Sequence, residues 1–576
     1  MSTFVPRSID ATDFDAVAPL FDSLLARPVE SPADLERWLA DRSELDATCA
    51  QAHTLLHINT TCDTGDTDAR AAFLRYIEQV PPRLKPRAFE LDRRQASLFE
   101  RFPLPRERYE VLSRDTRAEV ELFRAENVPL ETELDRLTQE FEEVAGAMTV
   151  EFDGREQTLP QMGRYQESND RAVREAAWRV VADRRMQDAD RLDSIYDRMV
   201  SLRDRVARNA GLGDYIGWTF KSKKRFDYTP EDCREFHRAC AEVVAPFVRR
   251  QDEQRRRALG VPELRPWDLA VDPMGREPLR PFEGGADLMR KCVRVFERLD
   301  PALGAMLASL GDGSNRQGVK TGESLDLDSR KGKAPGGYQA MRDRDRKPFI
   351  FMNAAGLSRD AITMLHEAGH AFHSLLCASD PLVHYRHSPI EFAEVASMSM
   401  ELLTMPHWGG EGGLYPNESD LARATRSQLE DSVFRLPWIA TIDAFQHWIY
   451  KNPGHTHAQR EAHWLELDER FGRGVSWSGL EKYRPRLWQR QLHLFSVPMY
   501  YVEYGIAQLG ALQLWLHSLE KGEPHAVSAY KRAMSLGGSR PLPDLFKAAG
   551  LTFDFGPETV RRLVARIEVE LSKLPL

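Results

Sequence analysis

Apolar residues recur every three or four positions, on charged backgrounds, along most of this 576-residue chain. That period commits it to α-helix. Residues 116–146 (TRAEVELFRAENVPLETELDRLTQEFEEVAG) and 168–210 carry the pattern most clearly, and 228–260 repeats it. Charge runs such as Arg255 to Arg257 read as solvated faces of such helices. The rhythm breaks twice. Prolines and glycines cluster at 260–285, which reads as an irregular connector crossing between lobes. Residues 310–337 are rich in Gly, Asp, Ser and Lys. Behind them stand two short strand candidates, Gly337 to Met341 and Phe349 to Met352, separated by the polar RDRDRKP as in a hairpin. The fold class expected is mainly α, with one small β-sheet.

The length exceeds that of one typical hydrophobic core, so at least two lobes are expected. Net charge is -9 with acids and bases mixed throughout, which leaves no basic footprint for nucleic acid. The N-terminal stretch shows no secretory leader. No segment has the uninterrupted apolar length of a membrane span. A cytoplasmic protein without membrane or nucleic-acid partners is the expectation. Six scattered cysteines (Cys49, Cys62, Cys233, Cys240, Cys292, Cys377) form no CxxC pair and read as reduced packing thiols. Cys377 is read so as well, although it follows the motif described next.

Asp360 to Cys377 reads DAITMLHEAGHAFHSLLC. Asp360 is predicted as a helix N-cap, and Leu365, Phe372 and Leu376 make an apolar stripe for a partly buried helix. His366 and His370 then share a face one turn apart and can reach one tetrahedral zinc ion. Glu367, about 100° round the axis, can reach a water on that ion. Composition alone yields about 0.07 such motifs per chain. The motif is therefore suggestive by itself, against the alternative of two surface histidines. A catalytic zinc needs a third protein ligand. PIEFAEVASMSMELL (389–403) supplies Glu391 and Glu394, and both are candidates on physical grounds. Glu401, seven residues beyond Glu394, is placed to accept from a ligating imidazole. His373 shares the His370 face and reads as pocket lining. Farther on, Tyr501 and Tyr504 are three apart and project together if they are helical. Phenol and imidazole donors can stabilise an oxyanion, although aromatic clusters are more often core.

Taken together and in this order, several segments resemble the thimet oligopeptidase / oligoendopeptidase F family, the oligoendopeptidase F branch most closely. They are RKGKAPGGY (330–338), PFIFMN (348–353), HEAGHAFH (366–373), FAEVASMSMELL (392–403), HLFSVPMYYVEY (493–504) and LGGSRPLPDLFKAAGL (536–551). The resemblance covers roughly residues 200–576. It implies an N-terminal helical region (1–200) and a catalytic region (201–576), with two helical lobes enclosing a deep substrate channel. It implies one zinc ion held by His366, His370 and Glu394, Glu394 being chosen over Glu391 by its place in the EVAS pattern. Glu367 becomes the base that activates a zinc-bound water. His493, Tyr501 and Tyr504 become the groups that contact the substrate and the intermediate. Some members read PFYVYQYAT where this chain has PMYYVEYGI. Aligned without gaps, Tyr500 and Tyr504 fall on tyrosines of that pattern, Tyr501 falls on its valine, and Glu503 and Ile506 also depart from it. Gly336, Gly337 and Tyr338 are implied to hold an extended peptide by backbone pairing. The activity implied is endopeptidase cleavage of oligopeptides. The alternatives are a dipeptidyl or simple carboxypeptidase, and a non-catalytic peptide-binding protein, against which the intact Glu367 argues.

Overall fold

The computed structural model describes residues 4–576 except Pro335, and describes only the backbone of Lys320 and Thr321. Pro335 of RKGKAPGGY and the first three residues of the N-terminal stretch lie outside the described residues. Among the described residues the chain forms 23 α-helices and five short strands, a mainly α fold as the periodicity implied. None of the described helices is long and apolar enough to cross a membrane. The chain divides into two units, each assembled from three separate stretches.

The first unit comprises Met1–Glu121, Leu279–Thr425 and Gly510–Phe553. Its N-terminal helices surround Leu24, Leu35, Trp38, Leu45 and Leu91, all buried. Trp38 Nε1 donates to Leu24 O at 3.0 Å, so its one polar atom is satisfied in that core. A three-stranded sheet has Lys347–Ala354 at its centre. Tyr338–Arg342 pairs antiparallel on one side (Tyr338 opposite Phe351) and Leu325–Asp328 parallel on the other (Leu325 opposite Ile350). The hairpin read from the sequence is therefore present. Phe349 to Met352 are all buried, the continuous apolar run of a strand covered on both faces. Ile58 and Cys62, from the helix Pro32–Cys62, pack against Phe349 and Phe351.

The central strand turns through Gly356 (φ 87°) into the helix Ser358–Leu376, which carries the HEAGH motif. Asp360 is not its N-cap. That position is Leu357, and Asp360 stands three residues into the helix, where its carboxylate accepts from Ala355 N and Leu357 N at 2.7 and 3.1 Å. An acid in the first turn still satisfies free amides there, which is why it resembles a cap in sequence. Leu365 and Phe372 are buried, and Leu376 is half-buried.

The second unit comprises Leu122–Pro278, Arg426–Leu509 and Asp554–Leu576. The helical pattern at 116–146 is interrupted: one helix ends at Leu122 and the next begins at Val128, with Pro129 in its first turn. The 228–260 segment is Pro230–Ala239, a π-turn at Cys240–Val244, then Ala245–Ala258. The 260–285 stretch contains only a short 3-10 turn before the next helix starts at Gly284, and the chain leaves this unit within it. A second, two-stranded sheet, Thr149–Phe152 against Arg155–Thr158, corrects the expectation of a single sheet. Its turn is Asp153-Gly154, both at positive φ, the pairing that two-residue hairpins favour. The cysteines are all free thiols, five of them buried.

Candidate metal centre

Two helices of the first unit make the site. Ser358–Leu376 lies against Ile390–Leu403, whose residues from Glu394 to Leu403 are all buried. Gly369 sits where they meet. A Cβ there would lie 2.6 Å from Ala396 O and 2.6 Å from the Ser397 Cα, so only glycine permits the approach. Tyr530 OH donates to Gly369 O at 3.2 Å from a third helix. A glycine in the middle of a helix, which costs about 0.5–1 kcal/mol against alanine, was the signal of a close approach.

The contact aligns three side chains. His366, His370 and Glu394 offer ligand atoms that all lie within 4.8 Å of one another. His366 Nε2 is 3.3 Å and His370 Nε2 3.8 Å from Glu394 Oε2. The two rings stand 4.9 Å apart and nearly perpendicular. Ser397 Oγ donates to Glu394 Oε2 at 3.0 Å. His366 Nδ1 donates to Glu401 Oε1 at 2.7 Å, which leaves Nε2 turned toward Glu394. Glu391 is buried at the start of the same helix but is not one of the grouped ligands. His373 Nε2 shares a 2.9 Å hydrogen bond with Ser388 Oγ, and burial lowers its pKa to about 3. Cys377 Sγ donates to the Arg386 carbonyl.

Charge defines what the site can accept. Glu367, Glu394 and Glu401 are 7, 8 and 4 % exposed, so three carboxylates are buried beside two imidazoles. Burial raises Glu367 to about 7, with Glu394 adding to the shift and His366 opposing it. Its Oε2 has no hydrogen-bond partner among the described residues. For Glu394 burial acts upward, but His370 and His366 outweigh it and hold the carboxyl at about 2. For His366 burial acts downward and the bonds to Glu394 and Glu401 outweigh it, so its pKa is raised; His370 is lowered to about 4, chiefly by burial. A divalent cation compensates this excess of buried negative charge, and the donor set of two imidazoles and one carboxylate suits zinc with a position left open. The residues fit that ion.

Tyr338 lies on the edge strand of the sheet, with its ring on Phe351 (4.8 Å, 11°) and its hydroxyl 2.6 Å from Thr61 Oγ1. Its side chain is thus committed to the protein, and the Gly336 to Tyr338 backbone remains the element that can pair. Asn353 Nδ2 donates to Ala334 O and Gly336 O and holds that segment.

His493, Tyr501 and Tyr504 belong to the second unit, where they form one ring cluster. His493 lies 4.9 Å from Tyr501 and 6.1 Å from Tyr504 between centroids. Tyr500, to which the sequence assigned no role, lies 5.8 Å from His493 and 5.1 Å from Tyr504. Gln491 was also missed. Trp438 Nε1 donates to its Oε1 at 3.0 Å, which turns its amide nitrogen toward His493 Nδ1 at 2.7 Å. His493 therefore accepts at Nδ1 and carries its proton on Nε2. Buried arginines fasten this stretch. Arg203 donates to Leu494 O at 2.9 Å, and Arg225 donates to Met499 O and Glu503 Oε1, each at 2.5 Å. The Arg225 pair accounts for the acid at 503.

Two imidazoles and a carboxylate converge on adjoining helices beside a buried carboxyl with a free oxygen, on a mainly α scaffold. Such a site and fold define a metallopeptidase. A profile of peptidase family M3 matches residues 164–561, well over half of the chain, and the chain belongs to that family. An oligoendopeptidase F homologue of Borreliella burgdorferi is 27% identical over 241 residues, covering 40% of this chain and 39% of that protein. The alignment thus spans about two fifths of that relative's length. A structure of PZ peptidase A with an inhibitor matches with a TM-score of 0.86 and 25% identity over 99% of both chains. An X-ray structure described as an oligoendopeptidase F matches with a TM-score of 0.87 and 26% identity, over 100% of this chain and 99% of that one.

Gly369→Ala should lower the thermal midpoint and the zinc content together, because overpacking of about 1–3 kcal/mol falls on the contact that aligns the ligands. Thermal melts and metal analysis check this. An unchanged midpoint with full zinc would show that the helices do not depend on glycine there.

Proposed function

We propose that this protein is a zinc-dependent endopeptidase that hydrolyses internal bonds of short oligopeptides, with one catalytic zinc on His366, His370 and Glu394 and its reacting groups all within residues 201–576. The observation that carries the reading is the grouping of these three ligand atoms beside Glu367, whose Oε2 is buried without a partner. A metal-ligating cluster alone could be structural. A buried acid next to it with one oxygen left without a partner is what a hydrolase needs and a binding protein does not.

Bound zinc supplies Lewis acidity to the scissile carbonyl and to water. Glu367 takes the proton of the attacking water and delivers it to the leaving amine, a task suited to a carboxyl raised toward neutrality. Glu401 keeps His366 in the tautomer that presents Nε2. The exposed edge from Gly336 to Tyr338 aligns the peptide in extended form through main-chain hydrogen bonds, which give affinity with little sequence preference. His493, through its Nε2 proton, and Tyr501 and Tyr504 donate to the substrate carbonyl oxygen as it gains charge. We assign the protein to the cytoplasm, without nucleic-acid or membrane partners.

Glu367→Gln should retain zinc while turnover falls by roughly 10²–10⁴. Loss of the metal along with activity would make Glu367 a ligand instead. Single Phe substitutions at Tyr500, Tyr501 and Tyr504, assayed under steady state, should include at least one at 501 or 504 that lowers kcat more than it raises KM. Unchanged kcat in both of those variants removes them from the mechanism. Substrate form is tested by offering one susceptible sequence twice, as a free peptide and as an exposed loop of a stable protein. The free peptide should be cleaved far faster, since extending a folded chain costs roughly 5–15 kcal/mol. Equal cleavage of the two contradicts restriction to oligopeptides.

A further inference from the structure

Four metal-ligating side chains meet in the second unit, in a cluster that owes nothing to the HEAGH motif. Cys233 and His237 are four apart on Pro230–Ala239, and Asp443 and His447 are four apart on Glu418–Lys451, so each pair projects from one face of its helix. They are 1, 5, 0 and 9 % exposed. Cys233, Asp443 and His447 offer ligand atoms within 4.8 Å of one another. His237 Nε2 stands 2.8 Å from Asp443 Oδ2. His447 Nε2 lies 3.4 Å from the same oxygen. Two atoms of this cluster, Asp443 Oδ1 and His447 Nε2, have no hydrogen-bond partner among the described residues.

A plain buried Asp–His pair explains only half of this. It accounts for the His237 contact, but it leaves Asp443 Oδ1 buried without a partner and gives His447 Nε2 only a long 3.4 Å approach to Oδ2. It also gives the adjacent thiol no part. The helix bearing Cys233 and His237 passes directly into the π-turn at Cys240–Val244, an irregularity that often accompanies function.

We propose that Cys233, Asp443 and His447 bind a second divalent cation of zinc's kind, with His237 positioning the Asp443 carboxylate. On binding, the Cys233 thiol releases its proton to solvent and its sulfur becomes the ligand. One thiolate and one carboxylate then balance the double positive charge, so the buried centre is neutral. Sulfur and imidazole donors select a zinc-like ion over magnesium or calcium, which take oxygen ligands. The ion ties Pro230–Ala239 to residues 426–451 inside the second unit. It stands independently of the proposed catalytic zinc, because no residue is shared.

Cobalt distinguishes the two sites, because only this one contains sulfur. The full chain is stripped of metal under reducing conditions and titrated with Co²⁺. Thiolate-to-cobalt charge-transfer absorption in the near ultraviolet should saturate at one ion per chain in His366→Ala and by the second ion in the wild type, with the same final intensity. It should vanish in Cys233→Ser, which still binds one cobalt at the motif. No such band in the wild type, or a band that survives Cys233→Ser, overturns the proposal. X-ray absorption of zinc-loaded His366→Ala decides the matter without altering the cluster. A sulfur neighbour at about 2.3 Å is expected, and a shell of nitrogen and oxygen only, or protein without zinc, overturns it.

Discussion

A missing methyl group sets the geometry of the candidate metal centre. The helix with both histidines and the helix with Glu394 touch backbone to backbone at Gly369, closer than any Cβ allows. That closeness puts Glu394 Oε2 within 4 Å of both imidazole nitrogens, and it carries Glu401 far enough along the same face to meet His366 Nδ1. The other elements of the first unit serve this contact. The central strand delivers the chain to the start of the histidine helix, Asp360 secures its first turn, and Tyr530 holds the Gly369 carbonyl. The glycines of the closing segment do similar work. A Cβ on Gly537 would lie 1.9 Å from Tyr385 O, so that segment also lies flush against its neighbour.

Electrostatics gives the same contact its chemical sense. Three carboxylates in so small a buried volume repel one another, and two imidazoles do not balance them. The arrangement holds together as a site for a cation, with Glu367 left as the group whose proton affinity is poised near neutrality. The ring cluster of the second unit follows a different logic. There Trp438 fixes Gln491, Gln491 fixes the tautomer of His493, and Arg203 and Arg225 fix the backbone on either side. Each link is a hydrogen bond with one possible sense, so the donor face of His493 is set before any ligand arrives.

Much of this was legible in the chain itself. Helical periodicity told the class, and the polar RDRDRKP between two apolar runs told the hairpin. The spacing of seven from Glu394 to Glu401 told that both lie on one face. What escaped was non-local or disguised. Leu325–Asp328 is four residues long and pairs in parallel with a strand more than twenty residues on, which no local pattern reveals. The hairpin around Asp153-Gly154 had its turn written in the sequence, but its strands are too polar to alternate clearly. Glu391 and Glu394 are both buried, so burial does not separate them; the EVAS resemblance points to Glu394, and it is Glu394 whose oxygen groups with the two imidazoles. Neither unit is one continuous stretch, and composition read along a chain does not show that non-adjacent segments have joined. Cys233 and His237 lie more than two hundred residues from Asp443 and His447, which hid their meeting entirely.

Anomalous diffraction at the zinc edge, from crystals of the full chain grown with zinc, would locate the ion. A peak is expected at about 2.0–2.2 Å from His366 Nε2, His370 Nε2 and a carboxylate oxygen of Glu394. A peak coordinated through Glu391, or an active peptidase with no anomalous density at those two histidines, would contradict that assignment.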